Sequence, residues 1–389
     1  MKKNVRKRVT QADIAQAAGV SQVLVGLALS GKKRMREATR EKILTTAKRL
    51  GYIPHRSAQL LRGSKSGLIG VLYASCPQRP EIAQTIQEKI RHVAAEVWQN
   101  HYKLIVQDIS WFEFSVPQAI EMLLQLDVEG ILVIGDFSHQ ELDVFREVPV
   151  PLLGLNTGEM ENLPVLRSNI EEAMFQMVRH LSKTKVHRIL FFCEVSGEES
   201  LNAWSWSQRE SFLGIQKAAK KLGLTFHCGG MEEYLRRAKA QTRRKSLLYV
   251  LFSSAKSSPT SKPPKQNEQT TGETGYHQAE TLWTRAPRRL HPDTLICPND
   301  AYAFGVLKFL NTRGVQIPKQ IQVTGFDNLA FRDYCFPSLT TIQQNYPALA
   351  KKAVTLLTRM IQGHRYSTKL TQISCELLPG NSTRPPRAT

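Results

Sequence analysis

The sequence predicts an α-helical helix-turn-helix headpiece followed by an α/β core of two doubly wound parallel-sheet subdomains. Three observations carry that expectation. Residues 9–52 hold three short helical patterns separated by small residues. Residues 68–378 alternate near-continuous apolar strands with helices, and the first 63 residues carry more than half of the chain's excess positive charge. At 389 residues the chain has room for two or three domains, and its 41% hydrophobic fraction supports a buried core rather than a disordered chain.

The first helix is expected to start at Thr10, an N-cap residue with Asp13 three positions on as an acidic capping-box partner, and to bury Ile14, Ala15 and Ala18. Gly19 breaks it and Ser21 caps a second helix running to about Leu29, so the pair is joined by a short turn. A third helix is predicted from about Glu37 to Leu50, with Ile43, Leu44, Ala47 and Leu50 at helical spacing and Gly51 behind it. After Pro54, residues 55–63 read as one or two helical turns, too short to be stable alone in water and expected to order only when docked. Ser64 to Gly67 read as a linker.

From Leu68 the rhythm changes. Strands are predicted at 68–74, 103–109, 130–136, 150–156 and 188–195, with helices at 81–99, 116–126, near 138–147, 170–182 and 208–222. Residues 253–275 are rich in Ser, Pro, Lys, Gln and Thr and read as a low-complexity insertion. Alternation then resumes with helix 276–284, strand 293–300, helix 301–313, strand 320–328, helix 347–362 and a single strand 370–378. The stretch from Pro379 is expected to fray.

Charge narrows the function. Lys and Arg number 53 against 33 Asp and Glu, a net +20. Residues 1–63 hold fifteen basic side chains against Asp13, Glu37 and Glu41, or +12, and residues 231–275 hold nine against four, or +5. A small basic module on a nearly balanced body is the electrostatic footprint of a polyanion binder. No run of about 18 apolar residues suggests a membrane helix, and no apolar stretch follows the basic start as in a secretion signal, so a cytoplasmic protein is expected. The six cysteines are scattered without a C-x-x-C pair, so neither a disulfide scaffold nor a zinc knuckle is expected. The phosphate-cradling glycine motifs, H-E-x-x-H and G-x-S-x-G are all missing. Ser253 and Lys256 fit S-x-x-K only inside the low-complexity stretch. No catalytic residue, cofactor or metal is therefore expected.

Several segments together resemble the lac-repressor/galactose-repressor family of bacterial transcription regulators. They are VTQADIAQAAGVS (9–21), ALSGKKRMREATREKI (28–43), LGYIPHRSAQLLRG (50–63), GLIGVL (67–72), PNDAYAFGVLKFL (298–310), RGVQIPKQIQVTGFDN (313–328), PSLTTIQQN (337–345) and LLPGNST (377–383), in the family's order over almost the whole chain. The resemblance implies a headpiece (1–54), a hinge helix with its linker (55–66), and a core like a periplasmic sugar-binding protein (67–378), with 379–389 as tail. It implies a homodimer on a near-palindromic operator, acting as a repressor. The second helix would enter the major groove, with Thr10, Gln11, Ser21, Gln22, Val23 and Leu27 at base-facing or backbone-facing positions. Gln22 suits adenine, and Val23 or Leu27 a thymine methyl. Thr39 and nearby basic residues would hold phosphates, while His55, Ala58 and Leu61 match hinge positions in the minor groove, Leu61 as the wedge. Leu24 and Gly26 depart from the family's Thr and Ser, removing two phosphate-side hydroxyls, and Gly26 weakens the helix by roughly 1 kcal/mol relative to Ala. Val25 and Leu29 read as core.

The family also implies a small-molecule effector, a sugar or related metabolite, in the cleft of the core. Asp300 matches an acidic residue suited to accept hydroxyl hydrogen bonds, a role compatible with helix capping. The family's arginine, three residues before a Gly-aromatic pair, is replaced by Ser211 before Gly214. Either a local shift brings Arg209 into the cleft or that contact is missing. Trp204 and Trp206 would stack on a sugar face or pack under a loop, and Asn156 sits at a strand end. Two other readings share this core: a regulator answering to a protein partner or to no ligand, and a transport-type binding protein, which would have no use for residues 1–63.

Overall fold

The structure, a computed structural model, describes residues 9–29, 35–52, 65–74, 80–109, 115–135, 137, 139–184, 186–193, 205–240, 246–252 and 270–386. The chain divides into two compact units, Met1–Ser66 and Gly67–Thr389.

In the first unit, helices α1 (Gln11–Ala18), α2 (Gln22–Leu29) and α3 (Glu37–Leu50) form as predicted. Thr10 and Asp13 make the full capping box. The Asp13 N–H donates to Thr10 Oγ1 at 3.3 Å and the Thr10 N–H to the Asp13 carboxylate at 2.7 Å. Gly19 ends α1 at φ 64°, a left-handed conformation that costs glycine nothing, and the chain turns through 107° into α2. A small core of Ile14, Ala15, Ala18, Val25, Ala28, Ile43 and Ala47 closes where the three helices meet.

The second unit has two lobes. In the first, β1 (Leu68–Tyr73), β2 (Lys103–Asp108), β3 (Gly130–Ile134), β4 (Leu152–Leu155) and β5 (Val165–Ser168) lie parallel in the order β5-β4-β3-β1-β2. Helices α4 (Pro80–Gln99), α5 (Val116–Gln125) and α6 (His139–Val144) connect them. The second lobe contains β6 (Arg188–Cys193), β7 (Thr225–Gly229), β8 (Leu247–Phe252), β9 (Thr294–Ile296) and β10 (Gln322–Thr324), parallel in the order β10-β9-β6-β8-β7. Its helices are α7 (Ile170–Ser182), α8 (Trp206–Leu222), α9 (Met231–Ala240), α10 (Thr271–Arg285) and α11 (Asp300–Thr312). Helices cover both faces of each sheet, with Val93 and Leu123 on opposite sides of the first and Ile215 and Phe309 on opposite sides of the second. This explains strands apolar on both faces.

Three expectations need correction. The single strand 370–378 is two. β12 (Thr371–Ile373) joins the first sheet beside β5, and β13 (Glu376–Leu378) pairs antiparallel with β11 (Thr341–Gln343). The chain changes lobes between them, after helix α12 (Tyr346–Ile361) has packed on the first lobe. The second correction is the far end of the insertion. Residues 253–269 lie outside the described residues, but Thr270 and Glu273 form a capping box that starts α10 at Thr271. The two glycines at the end of this stretch, with Gly305, form a helix-packing seam. A Cβ on Gly275 would lie 2.2 Å from the Tyr302 carbonyl oxygen, and one on Gly305 would lie 1.8 Å from that of Gly272.

The third is the segment from Pro379, which does not fray before Pro386. Ser382 is fully buried, its hydroxyl donating to the Val323 carbonyl at 2.6 Å and accepting the Thr340 N–H at 2.8 Å. Arg384 donates its main-chain N–H to Gln322 and its guanidinium to the carbonyls of Pro318 and Lys319. Polar residues look like a tail in sequence because their partners are 42 to 66 positions away.

Candidate functional site

The headpiece presents Ser21, Gln22 and Val23 outward. Val25 and Ala28 turn into the small core, and Leu24 and Leu29 pack against it. Leu24 therefore stands where the family's hydroxyl would be because it helps close the core. Opposite them, Ser21 and Gln22 are exposed and Val23 is 72% exposed, an apolar side chain held against water on a helix. Ser21 caps α2, its hydroxyl accepting the Leu24 N–H at 3.3 Å. Thr10 is exposed but its hydroxyl donates to the Asp13 carboxylate at 2.7 Å. Gln11 is half-buried and donates to the Tyr52 hydroxyl at 3.2 Å, tying α1 to the end of α3. Leu27 and Thr39 are half-buried. Arg36, Glu41, Lys42, Lys48 and Arg49 are exposed on and before α3, and Arg40 pairs with Glu37 at 3.2 Å. His55, Ala58 and Leu61 lie outside the described residues, as does Trp204.

In the core, the candidates meet where the carboxyl ends of the strands face the boundary between the lobes, the usual ligand position of open parallel sheets. Asn156, just past β4, holds φ 50° and is buried. Its amide donates to Gln344 Oε1 at 2.9 Å, and its carbonyl oxygen accepts the Ser168 N–H at 2.8 Å. The Ser168 hydroxyl donates to the same Gln344 oxygen at 2.7 Å, and Gln344 in turn donates to Asp327 in the second lobe at 2.8 Å. Asp327 and Asn328 hold positive φ, at 103° and 51°, in the loop after β10. Strained non-glycine backbone of this sort collects at sites that a fold holds in place for use.

Asp300 is brought to the same boundary but not to open space. It is fully buried at the start of α11, with Thr341 donating to one carboxylate oxygen at 2.6 Å and the Leu329 N–H to the other at 2.8 Å. Burial lifts its carboxyl to about 7, against the pull of these two hydrogen bonds. The helix cap is the neighbouring Asn299, which accepts the Tyr302 N–H at 2.8 Å. Asp300 therefore cross-links α11, β11 and the loop after β10, and in this conformation both oxygens are taken.

Arg209 is exposed on α8. The arginine at the boundary is instead Arg167, from the end of β5, which composition and spacing did not single out. It is 2% exposed, donates to the Thr157 carbonyl at 2.6 Å, and stacks over the Trp206 ring at 5.1 Å. Its guanidinium lies 3.6 Å from the Glu210 carboxylate. Burial raises the Glu210 carboxyl, Arg167 and the N–H groups of Ile170 and Glu171 opposing it. Trp206 thus packs on a cation. Ser211 uses its hydroxyl on the Ser207 carbonyl within α8. Gly214 admits the backbone of α7, since a Cβ there would lie 2.2 Å from the Glu171 oxygen. At the ends of β1 and β2, Tyr73 bonds to Asp108, and burial together with that carboxylate pushes the phenol up to about 12.

Sequence reasoning missed Arg167, Ser168, Gln344 and Asp327. Position was the available signal, since each follows or ends a strand at the lobe boundary. Among the described residues no group of three or more metal-ligating side chains gathers, and no single helix is long and apolar enough to cross a membrane. A further surface feature lies on the second lobe, where Phe331, Tyr334 and Phe336 are 68%, 81% and 85% exposed. With Phe304 and Leu307 they line an open groove of about 350 Å³.

Comparison with known proteins agrees with both halves. The family described as "Bacterial regulatory proteins, lacI family" matches residues 3–55, and the "Periplasmic binding protein-like domain" matches residues 178–383. The chain is 23% identical over 351 residues to the HTH-type transcriptional repressor PurR of Haemophilus influenzae, covering 90% of each. It is 23% identical over 381 residues to the HTH-type transcriptional repressor CytR of Escherichia coli, covering 96% of each. Among solved structures it resembles the lac repressor dimer bound to operator and the anti-inducer ONPF, with a TM-score of 0.74 at 20% identity over 97% of this chain and 99% of that one.

Proposed function

The chain belongs to the lacI family of bacterial regulatory proteins, DNA-binding regulators of transcription, and on that footing we propose that it represses genes by reading a near-palindromic operator as a homodimer. Helix α2 enters the major groove, with Gln22 hydrogen-bonding a base edge and Val23 meeting a thymine methyl. Ser21, Thr39 and the basic residues of α3 hold phosphates, and Leu61, with His55 and Ala58, opens the minor groove. The observation that carries this reading is the exposed pair Gln22 and Val23 on a helix whose other face is fixed by its core. The proposed seat for the second copy is the aromatic groove of Phe331, Tyr334 and Phe336, because a contiguous apolar patch of this kind marks a protein-contact surface. We assign no catalytic role.

The test is selection of duplexes from a random pool by the full-length protein, followed by a salt titration. An enriched, two-fold symmetric sequence is expected, with affinity falling steeply as salt rises because several phosphates are neutralised. No enriched sequence at moderate salt, or a flat salt response, rejects the proposal. The cleft of the core would take a small metabolite, a carbohydrate or similar, that shifts the balance between DNA-competent and incompetent arrangements. A second reading, in which the regulator needs no ligand, is favoured by one observation: at the lobe boundary Asn156, Ser168, Gln344 and Asp327 hydrogen-bond one another, and both Asp300 oxygens already accept from Thr341 and Leu329.

A further inference from the structure

The chain passes between the lobes at three places: at Asn169 between β5 and α7, at 344–345 between β11 and α12, and at 374–375 between β12 and β13. Any change in the angle between the lobes must be absorbed at these crossings. Two of them are bridged by side chains whose partners come from opposite lobes. Gln344 accepts from Asn156 and Ser168 of the first lobe and donates to Asp327 of the second. Beside Asn169, Arg167 of the first lobe faces Glu210 and Trp206 of the second.

The second bridge has the build of a lock. Arg167 is fixed to its own lobe by the 2.6 Å bond to the Thr157 carbonyl. Glu210 is fixed to its own by the N–H groups of Ile170 and Glu171 at the start of α7. Between them stands a charge contact at 3.6 Å and a ring stack at 5.1 Å, neither of them a hydrogen bond. A rotation of one lobe against the other that leaves the inner bonds intact has to strain this contact. Parting it leaves the buried guanidinium with only Glu159 of its own lobe, 3.8 Å away and largely exposed, as a counter-charge, and leaves the Glu210 carboxylate without its cation, which is unfavourable for groups this buried.

We propose that Arg167, Trp206 and Glu210 form a lock that sets the resting angle of the two lobes in the ligand-free protein, so that anything bound in the cleft acts by breaking it. The inference rests on reading the core as a two-lobed responsive module, and it is tested without DNA so that the two can fail separately. Hydrogen exchange followed by mass spectrometry on the full-length chain, alone in solution, is the measurement. The variants are Glu210→Gln, which keeps the volume of the side chain, and Arg167→Met, which keeps most of the stem and removes the charge.

Each variant is expected to raise exchange about ten-fold or more in peptides spanning 165–174 and 206–212, with the central strands β1 and β6 unchanged. The double variant should exchange no faster than the faster single one, because both break one contact. Unchanged exchange in Glu210→Gln, or a double variant whose increase is the product of the singles, overturns the lock. If Arg167→Met does not fold, Glu210→Gln alone decides. A wild-type chain that selects an operator while Glu210→Gln leaves exchange unmoved sinks the lock and spares the regulator.

Discussion

The headpiece and the core solve opposite problems with the same side-chain chemistry. In the headpiece, a core of seven apolar residues among those described holds three helices, and the groups proposed to meet DNA, Ser21, Gln22 and Val23, are left in water. In the core the groups at the candidate site are buried, and they are bonded to one another. A partner such as duplex DNA is large, stiff and strongly charged, so its reader can stay open and ready. A small molecule can be recognised only where water is excluded, so its receptor must either hold an empty hole or fill it with its own side chains. Among the described residues at the lobe boundary, Asn156, Ser168, Gln344 and Asp327 hold one another by hydrogen bonds.

The contrast can be broken most decisively at Ile14. It is fully buried in a unit of only 66 residues, and Ile14→Ala should cost about 2–5 kcal/mol. Duplex binding should vanish by fluorescence anisotropy while the calorimetric transition of the core stays where it was; movement of both transitions would mean the two units do not fold independently. The next effect belongs to the core. Asp300, lifted from 3.8 to about 7 by burial, retains its proton in the fold at pH values where the unfolded chain has lost it. Its contribution to stability is complete below about pH 4 and disappears as pH rises through 7, a linkage of at most about 4 kcal/mol. Between pH 5 and 8 the core transition of wild type should therefore fall relative to that of Asp300→Asn. Parallel curves would mean that Asp300 is ionised in the fold.

Smaller effects sharpen the headpiece side. Gln22→Ala and Val23→Ala should each weaken operator binding by about 1–3 kcal/mol with no change in melting temperature, as befits groups that support nothing in the fold. A melting shift in either would reclassify it as structural. Thr10→Ala removes the capping box and should cost the headpiece transition about 1 kcal/mol, read by calorimetry, leaving the core untouched.

The same contrast governs what was legible in the sequence. Headpiece contacts are local: Thr10 and Asp13, Ser21 and Leu24, and the apolar spacing of α3 all lie within a few positions, so helix ends and outward faces could be read directly. The two parallel sheets were legible because strands covered on both sides must be apolar throughout. The cleft was not legible, because its chemistry depends on pairs such as Asn156 with Gln344 and Thr341 with Asp300, far apart in the chain. Composition also misled where it hid geometry. Residues 270–275, read as the end of a low-complexity insertion, begin a helix whose Gly272 and Gly275 line its contact with the next one, and Trp206, offered as a sugar platform, rests on Arg167.

The polar segment ending the second lobe bears on how the protein is made. The edge of β10 receives its partners from Ser382 and Arg384, and the first sheet receives its outermost strand from residues 371–373. Neither lobe can complete itself while the ribosome is still translating the region before them. The growing chain therefore carries two unfinished sheets side by side for most of its synthesis, each with an open edge that a neighbouring nascent chain could occupy. The speed at which residues 371–384 follow the rest of the two lobes should therefore bear on the yield of native protein.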